Sequence, residues 1–393
     1  MTSFKTNVES EVLVWARTSV KLSQEDAARK LGVSISTLEK WEAGEASPTF
    51  IQLRKMAEVY KRPLAVLYLR RPPADFDPIK SFRRLVRAVD FELDYALTTN
   101  LERVSRQQDI LLDLLGEDAR EIRASFPDVS VGDDAESTGA RFAAWIGLDI
   151  HDQRRWARTG ALARELTKLI ERKGILITQV QRIDPGVMRG CALTDHPIPA
   201  IVVNGADAPS AKSFTLIHEL VHILLRTSDS ADIVPLTGTW GDYDATEKFC
   251  NLVAATTLLP REYFRQSVTR VRRHGSAPVA EEELRTIAAE FGVSSQAALI
   301  RMIGLGLESW ETYRMFDWRH AEHESTATEP EGEERTDLPL YYPLKVRDLG
   351  RLFIEEVRSA YDRHDIGSSE LVDYLDVKWE NIPKLMKQAG LPS

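Results

Sequence analysis

The residues best suited to chemistry lie in one short stretch, His218-Glu219-Leu220-Val221-His222, which has the form HExxH. Residues four apart on a helix lie one turn above each other, so both imidazoles can bind the same metal ion. Glu219 lies about 100° further round the helix than His218, which places its carboxylate beside the ion. An ion with three protein ligands keeps one position for water and lowers the pKa of that water to about 7. The motif therefore predicts hydrolysis of a peptide bond, with Glu219 as the catalytic base.

The flanking sequence supports a helix for this motif. Apart from the motif and one threonine, residues 214–225 are apolar, and they contain neither Gly nor Pro, a pattern typical of a buried helix. The alternative interpretation is a core helix with two histidines that bind no ion. The flanking pattern favours the metal site, and we expect one Zn²⁺ per chain or another divalent ion such as Mn²⁺.

A third metal ligand is expected from a second helix that packs against the first. Glu247 begins such a segment, 25 residues after His222, and Asn251 follows it by one helical turn. We therefore predict Glu247 as the third ligand and Asn251 as the acceptor for the free N–H of a ligating histidine. Three other carboxylates compete with Glu247 for the ligand position: Asp242, Asp244 and Glu262. Three side chains are candidates, by their chemistry alone, to stabilise charge on an attacked carbonyl: Tyr243, Tyr263 and His196.

The segments around the motif predict the elements that position it. A helical pattern at 156–172 is followed by two short runs rich in β-branched residues, at 174–178 and 199–204, which predict strands of a small sheet. An amphipathic helix at 210–225 carries the motif, and a helix at 245–259 carries the third ligand.

These segments together resemble the ImmA/IrrE family of metallo-endopeptidases. In that family a strand of the type Ile-Val-Val-Asn precedes the HExxH helix, and a later helix carries Glu-x-x-(Ala/Cys)-Asn followed by Ala-Ala and Leu-x-Pro. The matching stretches here are Ile201 to Asn204, His218 to His222, Glu247 to Asn251, Ala254-Ala255 and Leu258 to Pro260. Cys250 stands where alanine is more usual, and we interpret it as an inert core thiol. The resemblance implies a zincin-like (gluzincin) fold and cleavage of an Xre-type transcriptional repressor that controls stress, DNA-damage or mobile-element genes.

The N-terminal residues predict two helices joined by a tight turn. Ser23 and Ser34 are suited to cap helices, Gly32 permits the positive φ of a turn, and Ala28 is small enough for the helices to cross closely. Residues 10–70 resemble the DNA-binding domain of Xre-type repressors.

If this domain binds as that family does, its second helix enters the major groove of double-stranded DNA. The resemblance places five residues at the DNA: Gln24, Ile35, Ser36, Thr37 and Lys40. None of them is an arginine that could recognise guanine in bidentate fashion, and Glu39 would repel phosphate if it faced the DNA. The alternative is a surface that pairs with another helix-turn-helix domain, such as that of the substrate.

The composition sets wider limits. The whole chain has a net charge of −9, but residues 1–75 carry 12 Lys and Arg against 9 Asp and Glu, so the basic excess lies at the N-terminus. No apolar run approaches the roughly 20 residues of a membrane span, and no secretory signal is visible. The two cysteines, Cys191 and Cys250, are too few for a disulfide framework. We therefore expect a cytoplasmic protein without a membrane partner.

The predicted fold is mainly α, of the α+β class, in five parts. These are an Xre-type helix-turn-helix domain of five helices at 1–74, a helical connector at 75–150, the zincin-like peptidase domain with a small β-sheet at 151–320, an acidic flexible linker at 321–340 and a small helical C-terminal domain at 341–393. Residues 284–307 echo the helix-turn-helix pattern, but their place beside the catalytic helices favours a structural role.

The function predicted from these observations is a zinc-dependent endopeptidase that its own helix-turn-helix domain directs to an Xre-type repressor or its operator. A homodimer is also considered. The rival is a helix-turn-helix transcriptional regulator whose peptidase-like domain is a non-catalytic sensor or scaffold. The intact Glu219 argues against the rival, because a domain without catalysis has no need of the base.

Overall fold

The computed structural model describes residues 8–60, 62, 64–69, 71, 95–181, 183, 188–225, 245–272, 278–316 and 341–392. The chain divides into two compact units, Met1–Ser105 and Arg106–Ser393. Each unit has its own apolar core, drawn from residues 12–67 in the first and mainly from residues 126–302 in the second. The predicted linker at 321–340 lies outside the described residues. Among the residues that are described, no helix is long and apolar enough to cross a membrane.

The first unit contains the short helices predicted for it. Their bounds are α1 Ser10–Ser19, α2 Gln24–Leu31, α3 Ile35–Glu42, α4 Phe50–Val59 and a 3₁₀-helix Leu64–Tyr68. Ser23, Ser34 and Thr49 each begin a helix by accepting a hydrogen bond from the backbone N–H three residues further on. Leu38 and Leu53 are fully buried between the helices.

The turn between α2 and α3 has the left-handed residue that the sequence predicts. Gly32 adopts φ 70° and ψ 37°, a conformation that glycine takes without steric cost. At the end of α3 the carboxylate of Glu42 accepts three hydrogen bonds, from Arg17 Nε at 2.6 Å, from Arg17 Nη2 at 2.9 Å and from Gln24 Nε2 at 2.9 Å. These bonds join α1, α2 and α3 around one buried carboxylate.

The second unit is larger and contains the sheet. Helix α5 (Tyr95–Leu115) contains the boundary between the units. The elements that follow it are α6 Glu117–Ala124, α7 Ala135–Ile146, α8 Ile150–Arg158, α9 Leu162–Glu171, β1 Leu176–Val180, β2 Gly190–Leu193, β3 Ala200–Asn204, α10 Pro209–Leu225, α11 Ala245–Leu258, α12 Arg261–Val271, α13 Glu281–Phe291, α14 Ser295–Gly304 and α15 Trp310–Met315. The last are α16 Tyr341–Leu349, α17 Arg351–Asp362, α18 Ser368–Leu375, a 3₁₀-helix Trp379–Asn381 and α19 Ile382–Ala389.

The three strands form a sheet in the order β1-β3-β2. β1 runs parallel to β3, with Leu176 opposite Ala200, whereas β2 runs antiparallel to β3, with Cys191 opposite Val202. All five residues of β3 are buried. The sequence predicted β1 and β3 but not β2, because the four residues of β2 include no β-branched side chain.

Helices α10 and α11 pack together in the core of the second unit. Every residue of α10 from Thr215 to Leu224 is buried. Helix α11 is held from its other side by α7, where Gly139 lies directly against Thr256, and the Thr256 hydroxyl donates to the carbonyl of Ala135 at 2.8 Å. This close crossing fixes α11, which carries the predicted third metal ligand.

The C-terminal helices pack against the outer edge of β1. A Cβ atom on Gly350 would lie 2.6 Å from the carbonyl oxygen of Ile177, so the backbone here touches the strand. The carboxylate of Glu171 accepts the N–H of Leu352 at 3.1 Å, in the first turn of α17. The helices predicted at 341–393 are present, but they belong to the same compact unit as the sheet. Their separate folding stays a prediction.

Residues 284–307, whose sequence resembles the helix-turn-helix pattern, also have its geometry in the structure. Helix α13 ends at Gly292 with φ 70° and ψ 34°, and Ser294 caps α14, as Gly32 and Ser34 do in the first unit. However, α15 covers α14, since Gln296 Nε2 donates to the hydroxyl of Tyr313 at 2.6 Å. This contact supports the structural role that the sequence favoured.

Candidate metal centre

Helices α10 and α11 bring the three predicted ligands together. Nε2 of His222 lies 3.1 Å from Nε2 of His218 and 3.0 Å from Oε1 of Glu247. Nε2 of His218 lies 3.4 Å from Oε2 of Glu247. All three side chains are buried, and within the described part of the chain they form the one group of three such donors that could hold a metal ion.

The donor set fits a divalent metal ion. Two imidazole nitrogens and a carboxylate oxygen are ligands found together at catalytic zinc sites. Two atoms bonded to one tetrahedral ion at about 2.1 Å are about 3.4 Å apart, close to the separations measured here. Two buried imidazole nitrogens that face each other and the same carboxylate would also be a costly arrangement without a cation between them. His218, His222 and Glu247 therefore suit a metal ion better than a plain core.

The electrostatics of the group agree with this interpretation. Burial acts to lower the pKa of His222, but hydrogen bonds with Cys250 and Glu247 outweigh it and raise this pKa well above its ordinary value. Burial acts to raise the pKa of Glu247, but the hydrogen bonds from the two histidines lower it to about 2. The carboxylate is thus an anion at neutral pH, buried at a point where two imidazoles converge.

Glu219 lies beside the three ligands, as the motif predicts. Its carboxylate accepts the backbone N–H of Ala192 from strand β2. Burial raises the pKa of Glu219, and the neighbouring histidines only partly oppose that effect. A buried carboxyl group whose pKa is raised is suited to take a proton and return it near neutral pH. The arrangement places three side chains that could hold a metal ion beside one carboxyl group suited to act as a base.

Comparison with known families identifies this part of the chain. Residues 172–302 match the Peptidase_M78 family model, described as the IrrE N-terminal-like domain. These residues of the second unit are similar to the IrrE N-terminal-like domain. Residues 13–67 match a helix-turn-helix family model, HTH_3. A comparison of the whole chain with curated proteins found no significant match.

The two matches agree with the predicted architecture. The match to the IrrE N-terminal-like domain begins just before β1 and ends within α14, so it includes the sheet and all three ligands. The match to the helix-turn-helix family includes α2 and α3. The chain therefore joins a helix-turn-helix domain to a region similar to the Peptidase_M78 family.

One predicted role around the ligands is not seen. The Nδ1 atoms of His218 and His222 have no hydrogen-bond partner in the described structure, so Asn251 does not accept from either. Cys250, one residue earlier on α11, interacts with His222 in addition to Glu247. One turn of helix places both Cys250 and Asn251 near Glu247, and the motif alone could not show which of them faces the histidine.

Of the six alternative site residues, three are described by the structure and have other partners. Glu262 accepts a hydrogen bond from Gln266 on the exposed face of α12. Tyr263 packs its ring edge-on against His151, and His196 accepts the N–H of Ile198. Three of the competing residues, Asp242, Tyr243 and Asp244, lie outside the described residues. No hydrogen bond described for Tyr263 or His196 reaches the metal ligands.

The sequence analysis missed the contribution of β2. This strand supplies the N–H that holds Glu219. The charge of Glu219 also contributes to raising the pKa of Cys191 on the same strand. Burial raises the pKa values of Cys191 and Cys250, in agreement with their interpretation as unreactive thiols. The sequence pattern that corresponds to β2 is short: it is a glycine followed by three small or apolar residues, ahead of β3.

The five residues predicted at DNA divide into two groups. Ile35, Ser36 and Lys40 are exposed on α3. Gln24 is bound to Glu42 inside the domain, and the Thr37 hydroxyl lies 2.7 Å from that of Ser34. The direct contacts of these five residues with DNA stay predictions.

Proposed function

We propose that this chain is a zinc-dependent endopeptidase that cleaves an Xre-type transcriptional repressor. The observation that carries the proposal is the convergence of His218, His222 and Glu247 with Glu219 beside them. Zn²⁺ bound by these three ligands would supply the Lewis acidity that activates water and polarises the scissile carbonyl. Mn²⁺ or another divalent ion is compatible with the same donors.

Glu219 is the residue that moves the proton in this proposal. Its carboxylate takes a proton from the attacking water and passes it to the departing amine. The backbone N–H of Ala192 holds the carboxylate in place during both transfers. Burial keeps bulk water away from the carboxylate and strengthens its interaction with the two histidines.

Strand β2 supports a peptide as the substrate. It is an outer strand of the described sheet, and it passes beside Glu219. An extended peptide can add to such an edge through its main chain, with its side chains alternating between the two faces. This orientation would place one peptide bond near the base.

The helix-turn-helix domain supports an Xre-type repressor as the substrate and the cytoplasm as the location of the enzyme. We infer that it brings the enzyme to the operator or to the repressor bound there, in the cytoplasm. Addition of operator DNA should therefore accelerate cleavage of the repressor, and Lys40→Ala should reduce the acceleration without changing cleavage in the absence of DNA. Equal rates with and without DNA would contradict targeting by this domain.

The first experiment compares wild type with Glu219→Gln, which keeps the metal ligands and removes the base. Both proteins are analysed for metal content and incubated with an Xre-type repressor encoded in the same genome. We expect about one zinc per chain in both and a loss of cleavage by at least about 100-fold in Glu219→Gln.

Glu262→Gln is the matched control, since that exposed carboxylate on α12 pairs only with Gln266 among the contacts described. It should cleave like wild type. If wild type and Glu219→Gln both hold metal and neither cleaves any repressor, the sensor or scaffold function replaces the enzyme. If neither protein binds metal, the assignment of the three ligands is wrong.

A further inference from the structure

Strand β2 lies unusually close to the helix that carries the HExxH motif. The carbonyl of Arg189 accepts the N–H of Asn204 at 2.8 Å, which fixes the alternation of hydrogen bonds between β2 and β3. In an antiparallel pair, residues alternate between those bonded to the partner strand and those whose N–H and C=O point away. Gly190 and Ala192 therefore direct their backbone groups to the outer edge, where Ala192 reaches Glu219.

Gly190 lies so close to that helix that a side chain at this position would collide with it. A Cβ atom on Gly190 would lie 2.4 Å from Cγ2 of Thr215 and 3.4 Å from Cγ of Glu219. It would also lie 3.2 Å from the carbonyl oxygen of Val202 in β3. Thr215 is buried and β-branched, so its side chain has few other rotamers to adopt. Any residue larger than glycine must push β2 away from α10.

Thr215 and Glu219 lie one helical turn apart and so share a face of α10. Strand β2 crosses this face with Gly190 over Thr215 and Ala192 beside Glu219. We propose that Gly190 is a positioning residue: its lack of a side chain sets the distance between β2 and α10 at which the Ala192 N–H holds the carboxylate of Glu219. This inference rests on the proposed function for the role of Glu219, but not for the hydrogen bond itself.

The hydrogen bond is tested without any substrate. In protein labelled with ¹⁵N-alanine, the amide signal of Ala192 is assigned by its disappearance in Ala192→Gly. We expect the signal to shift in Glu219→Ala, which removes the acceptor, and to shift in the same direction in Gly190→Ala. Thr215→Ser removes only the methyl group that a new Cβ would meet, so Gly190→Ala/Thr215→Ser should restore the signal toward its wild-type position.

Gly132→Ala is the matched control, because Gly132 has open space around it and no positive φ. It should leave the Ala192 signal unchanged. An unshifted Ala192 signal in Gly190→Ala overturns the proposal, as does a shift that Thr215→Ser does not reverse.

The activity measurement separates positioning from the proposed function. With a cleaved repressor as substrate, Gly190→Ala should lower kcat by about 10- to 100-fold with little change in KM. A base displaced by about 1 Å no longer has the geometry needed for proton transfer, whereas the substrate still binds. Metal content should equal that of wild type, and the double variant should regain most of kcat. If no repressor is cleaved by wild type but the Ala192 signal responds as expected, the proposed function fails and the positioning role stands.

Gly190→Ala could also prevent folding. In that event Ala192→Pro removes the same N–H from the outer edge of β2 and leaves the bonds between β2 and β3 intact. A folded Ala192→Pro protein with wild-type kcat would overturn the proposal, and a loss of kcat with full metal content would support it.

Discussion

At the scale of single residues, protons and a metal ion compete for the same atoms. Burial acts to lower the pKa of His222, but its interactions with Cys250 and Glu247 outweigh it and raise this pKa well above its usual range. The pKa of Glu247 is lowered to about 2, so its carboxylate is ionised near neutral pH. A metal ion and a proton would therefore compete for His222, whereas Glu247 has no proton to lose near neutral pH.

The expected result is a zinc affinity that falls as the pH falls. We expect a loss of up to about tenfold per pH unit over the range in which His222 takes up its proton, with up to about one proton released for each ion bound. Calorimetric titrations in two buffers with different enthalpies of ionisation measure that proton number. Glu247→Gln removes the anion that helps to hold the proton, so it should release fewer protons as well as bind zinc more weakly. A pH-independent affinity would contradict the assigned protonation of His222.

The grouping of the three candidate metal ligands could be predicted because their spacing in the sequence carries the information. His218 and His222 lie one turn apart on any helix, and Glu247 begins the next helix in the sequence. The hydrogen bond from Ala192 could not be predicted in this way, since it depends on how closely β2 approaches α10. The approach follows from Gly190, whose significance appears only when Thr215 is placed opposite it.

At the scale of elements, Glu171 joins the end of α9 to the start of α17. Its carboxylate accepts the N–H of Leu352 at 3.1 Å and also that of Arg351. The side chain is fully buried, and burial raises its pKa to about 8. In the unfolded chain the same group has a pKa of about 4.3. The folded protein thus keeps a proton that the unfolded chain has lost.

This difference makes the second unit less stable as the pH rises. The contribution of protonated Glu171 is fully present below about pH 4.3 and is lost progressively up to about pH 8. Glu171→Gln keeps an acceptor of the same shape and cannot ionise. We expect it to exceed wild type in unfolding free energy at pH 8.5, by up to about 5 kcal/mol from linkage, and to match wild type near pH 4.5. Urea unfolding at the two pH values measures both differences.

Glu165 provides a control of opposite sign on the same helix. Partial burial acts to raise its pKa, but hydrogen bonds from Lys168 and Arg164 outweigh it and lower that pKa. Its stabilising effect is therefore present above about pH 4.3 and lost as the pH falls. Glu165→Gln should not gain stability at pH 8.5. A gain in Glu165→Gln equal to that in Glu171→Gln would show that the effect is not due to burial of Glu171.

The sequence predicted most helices but not where they pack. Leu349, Phe353 and Val357 have the spacing of an amphipathic helix, and all are buried in the structure. The surface that buries this region, the outer edge of β1, is more than 150 residues away in the sequence. Likewise, Gly292 and Ser294 form the same turn as Gly32 and Ser34, and long-range contacts of α14, such as that of Gln296 with Tyr313, distinguish it from the exposed helix α3.

At the scale of the whole molecule, the metal ligands all belong to one of two units with separate cores. The apolar cluster of the first unit draws on residues 12–67, and the large cluster around the ligands draws on residues 126–302. Separate cores favour separate unfolding transitions. A ligand that binds only one folded unit stabilises that unit alone, by about 2.7 kcal/mol at a free concentration 100 times its Kd.

Calorimetry of the full chain should therefore show two transitions, and zinc should raise the Tm of only one of them. For a unit of this size the stabilisation corresponds to an increase in Tm of about 5 to 10 °C. The transition of the helix-turn-helix unit should stay in place, and Glu247→Gln should abolish the shift of the other. DNA bound by the first unit should instead raise the Tm of the helix-turn-helix unit. A single transition that moves with either ligand would mean that the two units unfold together, and it would contradict their separate unfolding.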